Sequence, residues 1–152
     1  MIYIAYGSNL NLEQMKRRCP DSIYLGNAIF PSHSLAYKGH DTGFLTVEKN
    51  SDYNIEVGLF LISKKDEIKL DRYEGYPHFY DKKYTYIKND DNMFLATYYE
   101  INEDLDYKVP SLNYLDIVTK GYNNCNISKQ QLKDALQYTL DKLKGKTYGK
   151  HI

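Results

Sequence analysis

The sequence predicts an α+β fold: a mixed, mainly antiparallel β-sheet or barrel with helices around it. Three observations carry this. Strand-like runs and helical stripes follow in the order strand, helix, several strands, helix, hairpin, two helices. The last two helical stripes sit together at the C-terminal end, unlike the strict alternation of a parallel sheet. Tyrosine is abundant, 17 residues against no tryptophan, and tyrosine suits half-buried sheet surfaces, with a pocket lined by phenols as the functional alternative.

Ile2 to Tyr6 reads as a short, nearly all-apolar central strand, broken by Gly7-Ser8-Asn9. Asn11 and Gln14 have the spacing of an N-cap with its reciprocal partner, opening a short helix through Arg18 that Pro20 stops. Ser22 to Phe30 and Ser34 to Tyr37 read as strands around a turn at Pro31, and Phe44 to Glu48 as another. From Ile55 to Ile62, the residues Ile55, Val57, Leu59 and Leu61 share one face. Phe60 and Ile62 make the second face apolar, so this strand is expected to be covered on both sides. Ser63 and Asp66 have capping-box spacing, a helix follows to about Glu74, and Gly75 stands where a left-handed C′ residue belongs. Tyr84 to Lys88 and Met93 to Ile101 flank Asn89-Asp90-Asp91-Asn92 as a hairpin. Pro110-Ser111 starts a helix with Leu115, Val118 and Tyr122 on one side. Ser128 and Gln131 cap the last helix, whose stripe runs from Leu132 to Leu143 and which Gly145 is expected to end.

At 152 residues and 17.8 kDa the chain is expected to form one domain, residues 1–152. Surface scaling at this mass buries roughly 69% of the extended-chain surface, enough for a core without staples. Twenty basic and twenty acidic side chains cancel, and the pI is near 6.9. That balance lacks the basic surplus of a nucleic-acid binder and gives no reason for an anionic membrane surface as partner. Cys19 and Cys125 stand alone, with no CxxC and no Cys/His cluster, so reduced thiols are expected rather than a disulfide framework or zinc site. The N-terminus has no basic n-region and no stretch approaches ~18 apolar residues, so a cytoplasmic location is expected.

Familiar catalytic motifs are absent: no GxGxxG, P-loop, GxSxG or HExxH. His33, His40, His78 and His151 are scattered without ligand spacing, so neither a metal nor another cofactor is expected. Two segments stand out. In Tyr6-Gly7-Ser8-Asn9-Leu10, a glycine directly after the first strand lets backbone N–H groups converge, which suits a carboxylate or a developing oxyanion as well as an ordinary tight turn. In Leu70-Asp71-Arg72-Tyr73-Glu74-Gly75-Tyr76, Glu74 falls in the last helical turn, where the negative end of the macrodipole disfavours a carboxylate and raises its pKa. A residue that breaks a local rule is a functional candidate, against the simpler alternative of a solvated glutamate at a frayed end.

In order along the chain, several segments resemble the γ-glutamylcyclotransferase family. Ile4-Ala5-Tyr6-Gly7-Ser8-Asn9-Leu10 is similar to its N-terminal substrate loop, and Gly43-Phe44-Leu45-Thr46-Val47 to its glycine-led strand. Val57-Gly58-Leu59-Phe60, followed by the Leu70–Gly75 segment, resembles its central motif. Pro110-Ser111 with Tyr114 and Gly121-Tyr122 resembles its later helix, and Tyr148-Gly149-Lys150 its tail. The resemblance implies a small mixed fold with a barrel-like sheet, and release of 5-oxoproline from γ-glutamyl compounds. It assigns the acid/base to Glu74 and the γ-glutamyl site to Tyr6, Gly7, Ser8, Asn9 and Leu10, with Tyr80 and Tyr114 as further substrate contacts.

That reaction needs no enzyme nucleophile, because the substrate's own α-amine attacks its γ-carbonyl. This agrees with a chain lacking a Cys–His or Ser–His signature. Gly7 is expected to have φ above zero or to lie beside the ligand. Tyr114 is offset by one residue, about 100°, from the core stripe, and its hydroxyl is expected in the same cavity as Glu74. The expected partner is a small γ-glutamyl substrate; no nucleic acid or membrane is expected, and a homodimer is left open. A binding module without turnover and a γ-glutamyl amide hydrolase are the alternatives.

Overall fold

The computed structural model describes residues 1–150, and their side chains as far as residue 145; His151 lies outside the described residues, and the side chains of Tyr148-Gly149-Lys150 are not described. The chain runs β1 (Ile2–Ala5), a one-turn 3-10 helix (Ser8–Leu10), α1 (Leu12–Arg18), β2 (Ile23–Gly39), β3 (Phe44–Leu61) and α2 (Lys64–Tyr73). It continues through β4 (Tyr80–Asn89), β5 (Asn92–Ile101), β6 (Asp106–Tyr107), α3 (Leu112–Asn124) and α4 (Gln130–Lys150). The six strands form one sheet in the order β4-β5-β1-β3-β2-β6. Among the described residues β1 and β5 are the one parallel strand pair; the other strand pairs are antiparallel, and a single parallel bridge joins Gly43 and Pro110. This is the mixed α+β architecture expected.

The sheet curls on itself. Phe30 of β2 meets Tyr98 of β5 with ring centroids 5.1 Å apart, although two strands separate β2 and β5 in the hydrogen-bonded order. The inward row Ile55, Val57 and Leu59 is buried, as are Gly58, Phe60 and Ile62 on the opposite face. Leu61 is the exception at 41% exposure, because the row leaves the core at the end of β3.

Two expected breaks are absent. Pro31 does not divide two strands; it pairs with Asn54 inside one continuous β2, and the irregularity between Pro31 and His33 is absorbed as a bulge with Ser32 at φ 57°. Likewise residues 49–54 do not separate two strands but extend β3, giving one long hairpin with β2. An exposed proline is tolerated there because its missing donor leaves no buried acceptor unpaired. Gly145 does not end α4, which continues to Lys150. Gln131 is not a capping partner either: its amide donates to the Glu56 carbonyl at 2.8 Å and the Tyr122 hydroxyl at 2.9 Å, tying α4 to β3 and α3.

The helix starts follow the local rules. Asn11 accepts from the Gln14 N–H at 3.1 Å, and Ser63 and Asp66 cap α2 reciprocally. Ser111 accepts from the Tyr114 N–H at 3.1 Å. Gly121 lets α3 approach the turn after β1 without a gap. A Cβ there would lie 2.5 Å from the Asn11 nitrogen and 2.7 Å from the Leu10 carbonyl carbon. Backbone atoms cannot swing aside as a side-chain tip does. Gly121→Ala is therefore expected to cost about 2 kcal/mol, or roughly 5 °C in Tm. A thermal melt superimposable on the wild type would contradict this packing.

Candidate active site

β1 ends its pairing with β3 at Ala5 opposite Gly58, and the chain then leaves the sheet at Tyr6-Gly7. Leu10 and Asn11 donate back to the carbonyls of Gly7 and Ser8 at 3.0 Å each. The N–H groups of Gly7, Ser8 and Asn9 precede this turn and so have no intrahelical acceptor. Gly7 has φ −129°, so of the two alternatives expected for it the positive φ is not found. Its lack of a side chain matters for space instead, since a Cβ would stand 3.3 Å from the Tyr114 hydroxyl and 3.5 Å from the Leu45 Cβ.

Glu74 closes α2 as its C-cap residue. The helix ends in a Schellman motif, with Tyr76 N–H on the Asp71 carbonyl at 2.9 Å and Gly75 N–H on the Arg72 carbonyl at 3.2 Å. Gly75 takes φ +66°, the left-handed value expected of it. This reversal holds Glu74 beside the Ser8–Leu10 turn, where the Asn9 amide donates to Glu74 Oε1 at 3.1 Å and to the Tyr3 hydroxyl at 2.7 Å. Glu74 as a residue is only partly covered, but protein encloses its carboxyl group. Burial pushes its pKa up to about 7, against a smaller downward pull from the Arg18 charge and the Asn9 hydrogen bond. The upward direction is the one expected from the helix end together with partial burial, and burial is the main cause.

A cavity of about 310 Å³ opens between these segments. Tyr6, Gly7, Ser8, Asn9, Glu74, Tyr80 and Tyr114 all line it, and Glu74 is its one charged residue. Leu10 does not reach it: this side chain is fully buried and packs over Gly58, which a substrate contact would not allow. Tyr6 donates to the Tyr99 carbonyl at 2.7 Å, and Tyr80 to the Leu45 carbonyl at 2.9 Å, so both phenols spend their proton on backbone. Tyr114 differs. Its hydroxyl accepts from the Leu45 N–H at 3.0 Å and so keeps its own proton for another acceptor. Burial raises the pKa of Tyr6, Tyr80 and Tyr114, so all three stay protonated near neutral pH.

The sequence reading did not single out Tyr3, Phe44, Leu45, Tyr73, Phe79 and Tyr99 as site residues, yet they complete the lining. Six tyrosines in one cavity account for part of the tyrosine excess, the only signal that could have pointed to Tyr3 and Tyr99. Arg18 was also missed. Its guanidinium bonds Ser8, Asn9 and Gln14 and lies 3.7 Å from the Tyr73 ring centroid. Cys19 and Cys125 are buried and free. Among the described residues no group of three His, Cys, Asp or Glu side chains is arranged to hold a metal, and no helix is long and apolar enough to cross a membrane.

A solved gamma-glutamyl cyclotransferase superposes with a TM-score of 0.78 at 19% identity, over 88% of this chain and 85% of the other. An uncharacterised protein from Homo sapiens gives 0.76 at 19% identity, over 87% and 84%. YkqA from Bacillus subtilis gives 0.73 at 15% identity, over 90% of this chain and 54% of its own. Likeness at these identities is one of fold. Comparison with curated proteins finds no match. The family model described as gamma-glutamyl cyclotransferase, AIG2-like matches residues 3–121, from the first strand into the last turn of α3. On that match the chain belongs to the gamma-glutamyl cyclotransferase, AIG2-like family.

Proposed function

We propose that the protein is a γ-glutamyl cyclotransferase, releasing 5-oxoproline and a free amine from γ-glutamyl compounds. The observation that carries this reading is a single enclosed carboxyl group, Glu74, with a pKa of about 7, beside a turn whose leading N–H groups, those of Gly7, Ser8 and Asn9, have no acceptor within the turn. At neutral pH such a group is poised to take a proton and to return it.

The substrate enters with its γ-glutamyl end toward Tyr6–Asn9. Ionised Glu74 takes a proton from the substrate's α-ammonium group. The freed amine attacks the γ-carbonyl carbon and closes a five-membered ring. The attack is intramolecular, so holding the substrate folded removes much of the barrier. Backbone N–H groups of Gly7, Ser8 and Asn9 hold either the oxyanion or the α-carboxylate; as an oxyanion hole each donor is worth roughly 3 kcal/mol. Glu74 then passes its proton to the departing nitrogen as the γ-amide bond breaks. The balance is one amide bond formed and one broken: the attacking nitrogen loses two protons, the first relayed by Glu74 to the departing nitrogen and the second released to solvent or to the freed amine, with no covalent enzyme intermediate.

The uncommitted Tyr114 proton points to a substrate carboxylate or carbonyl. Tyr114→Phe is expected to lower kcat/KM about tenfold, the value of one lost hydrogen bond to a charged group, and to cost about 1–3 kcal/mol of stability because the buried Leu45 N–H loses its acceptor. Unchanged kinetics would remove Tyr114 from the substrate contacts. The reading as a whole is tested by incubating the protein with a panel of γ-glutamyl amino acids, γ-glutamyl amines and glutathione, and resolving the products by mass spectrometry. Release of 5-oxoproline with an equal amount of amine supports it. Free glutamate would make the protein a hydrolase, and binding without turnover a binding module.

A further inference from the structure

The geometry points to Arg18 as a positioning residue that holds the Asn9 amide toward Glu74 and thereby sets the pH window in which Glu74 is ionised. This rests on the reading of Glu74 as the acid/base.

Arg18 closes α1 and touches neither cavity nor substrate; its contacts instead bridge the two segments that build the site. One guanidinium nitrogen donates to Ser8 Oγ at 3.3 Å and to Asn9 Oδ1, and the other to Gln14 Oε1. The plane stacks on Tyr73, the residue before Glu74, with Cζ 3.7 Å from the ring centroid. A carboxamide has a donor end and an acceptor end of nearly equal size, so nothing in the shape of Asn9 decides which way it faces. Arg18 decides it. A guanidinium has donors only, and its hold on Oδ1 turns Nδ2 to the Tyr3 hydroxyl and Glu74 Oε1. The same side chain, stacked on Tyr73, keeps the end of α2 against the Ser8–Leu10 turn.

The electrostatic surroundings of Glu74 make this contact decisive. Tyr3 from β1, Tyr80 from β4, Tyr99 from β5 and Tyr114 from α3 face it as phenols that burial keeps neutral, as it does Tyr6. The Cys19 thiol behind Tyr3 is held up at about 12. Arg18 is the ionised group that opposes the burial of Glu74, and Asn9 transmits a second contribution of the same sign. With both in place the carboxyl ionises near neutrality; without them it would be mostly protonated at neutral pH and would accept the α-ammonium proton only at higher pH.

The test is carboxyl ¹³C NMR titration of Glu74 in the wild type, Arg18→Met and Arg18→Gln, run beside kcat and KM across the pH range. In Arg18→Met the Glu74 midpoint is expected to rise by roughly one pH unit, from loss of the charge and of the amide's orientation. The kcat deficit should be roughly fivefold at the wild-type midpoint, approach roughly tenfold below it, and shrink as the pH is raised, since Glu74 then ionises anyway. A purely structural role would give a deficit independent of pH. Should Arg18→Met fail to fold, Arg18→Gln keeps hydrogen-bonding capacity without charge and gives the same reading. An unmoved Glu74 midpoint in either folded variant overturns the proposal, as does a kcat deficit equal at both ends of the pH range. If no γ-glutamyl compound is turned over by the wild type, the NMR midpoint still reads Arg18's hold on Glu74, and the failure is that of the cyclotransferase reading alone.

Discussion

Glu74→Gln is expected to keep the fold and lose at least ~100-fold in kcat, the contribution of a positioned acid/base. Glutamine nearly matches the shape of the carboxyl group and can still accept from the Asn9 amide, so the turn and the end of α2 stay in place. What it cannot do is accept the α-ammonium proton and hand it on. The wild-type kcat/KM should fall away on the acid side with a midpoint near the Glu74 value of about 7. The same substitution has a stability signature. The folded pKa of Glu74 lies above its ordinary value of 4.5, so between these pH values the folded state binds more protons than the unfolded chain. Wild-type stability from this group is therefore full at low pH and is lost as the pH rises through about 7. Glutamine carries no such dependence. Relative to wild type, Glu74→Gln should gain on the order of 2 kcal/mol on going from pH 5 to pH 8, after a discount for the pocket's access to solvent. Kinetics and denaturant melts at the two pH values check both halves. A variant with near-normal kcat would end the mechanism, and a flat stability difference would show that Glu74 is not buried as described.

Gly7→Val is expected to abolish turnover by a different route. The obstacle is space: the first added carbon meets the Tyr114 hydroxyl at 3.3 Å and the Leu45 Cβ at 3.5 Å, and the two methyl groups enter the cavity. Tyr114 must then move, and Leu45, whose N–H and carbonyl are held by Tyr114 and Tyr80, is disturbed with it. Misplacement of this order at a reacting centre costs about 100-fold or more in kcat/KM. Gly7→Ala, which adds only the tight Cβ contact, should fall between the two. Isothermal titration with an intact γ-glutamyl ligand would separate blocked binding from slowed chemistry. Wild-type affinity and turnover in Gly7→Val would place the γ-glutamyl group elsewhere.

Much of the local structure was legible because it depends on residues three or four apart. The caps at Asn11, Ser63 and Ser111 and the left-handed Gly75 follow from spacing that a helix end imposes on any chain. The β4–β5 hairpin was legible from its Asn-Asp-rich turn, although both strands start earlier than the apolar pattern suggested. The reach of β2 and β3 was not legible. Pro31 and the polar stretch 49–54 carry the composition of turns, and only the cross-strand pairs on either side, Pro31 with Asn54 and His33 with Lys49, carry the two strands past them.

The same division holds at the site. The sequence by itself determined that Glu74 stands at a helix end against the local electrostatic rule, and that Tyr6–Asn9 follows the first strand as a glycine-containing turn. Tertiary structure alone decided that these two segments, 65 residues apart, share a hydrogen bond, that Tyr114 keeps its proton while Tyr6 and Tyr80 spend theirs, and that Leu10 belongs to the core. It also decided why Glu74 titrates near neutrality. Helix position acts within a turn and is written in the sequence, whereas burial is exerted by side chains brought from β1, β4, β5 and α3, whose approach depends on strand register and the curl of the sheet.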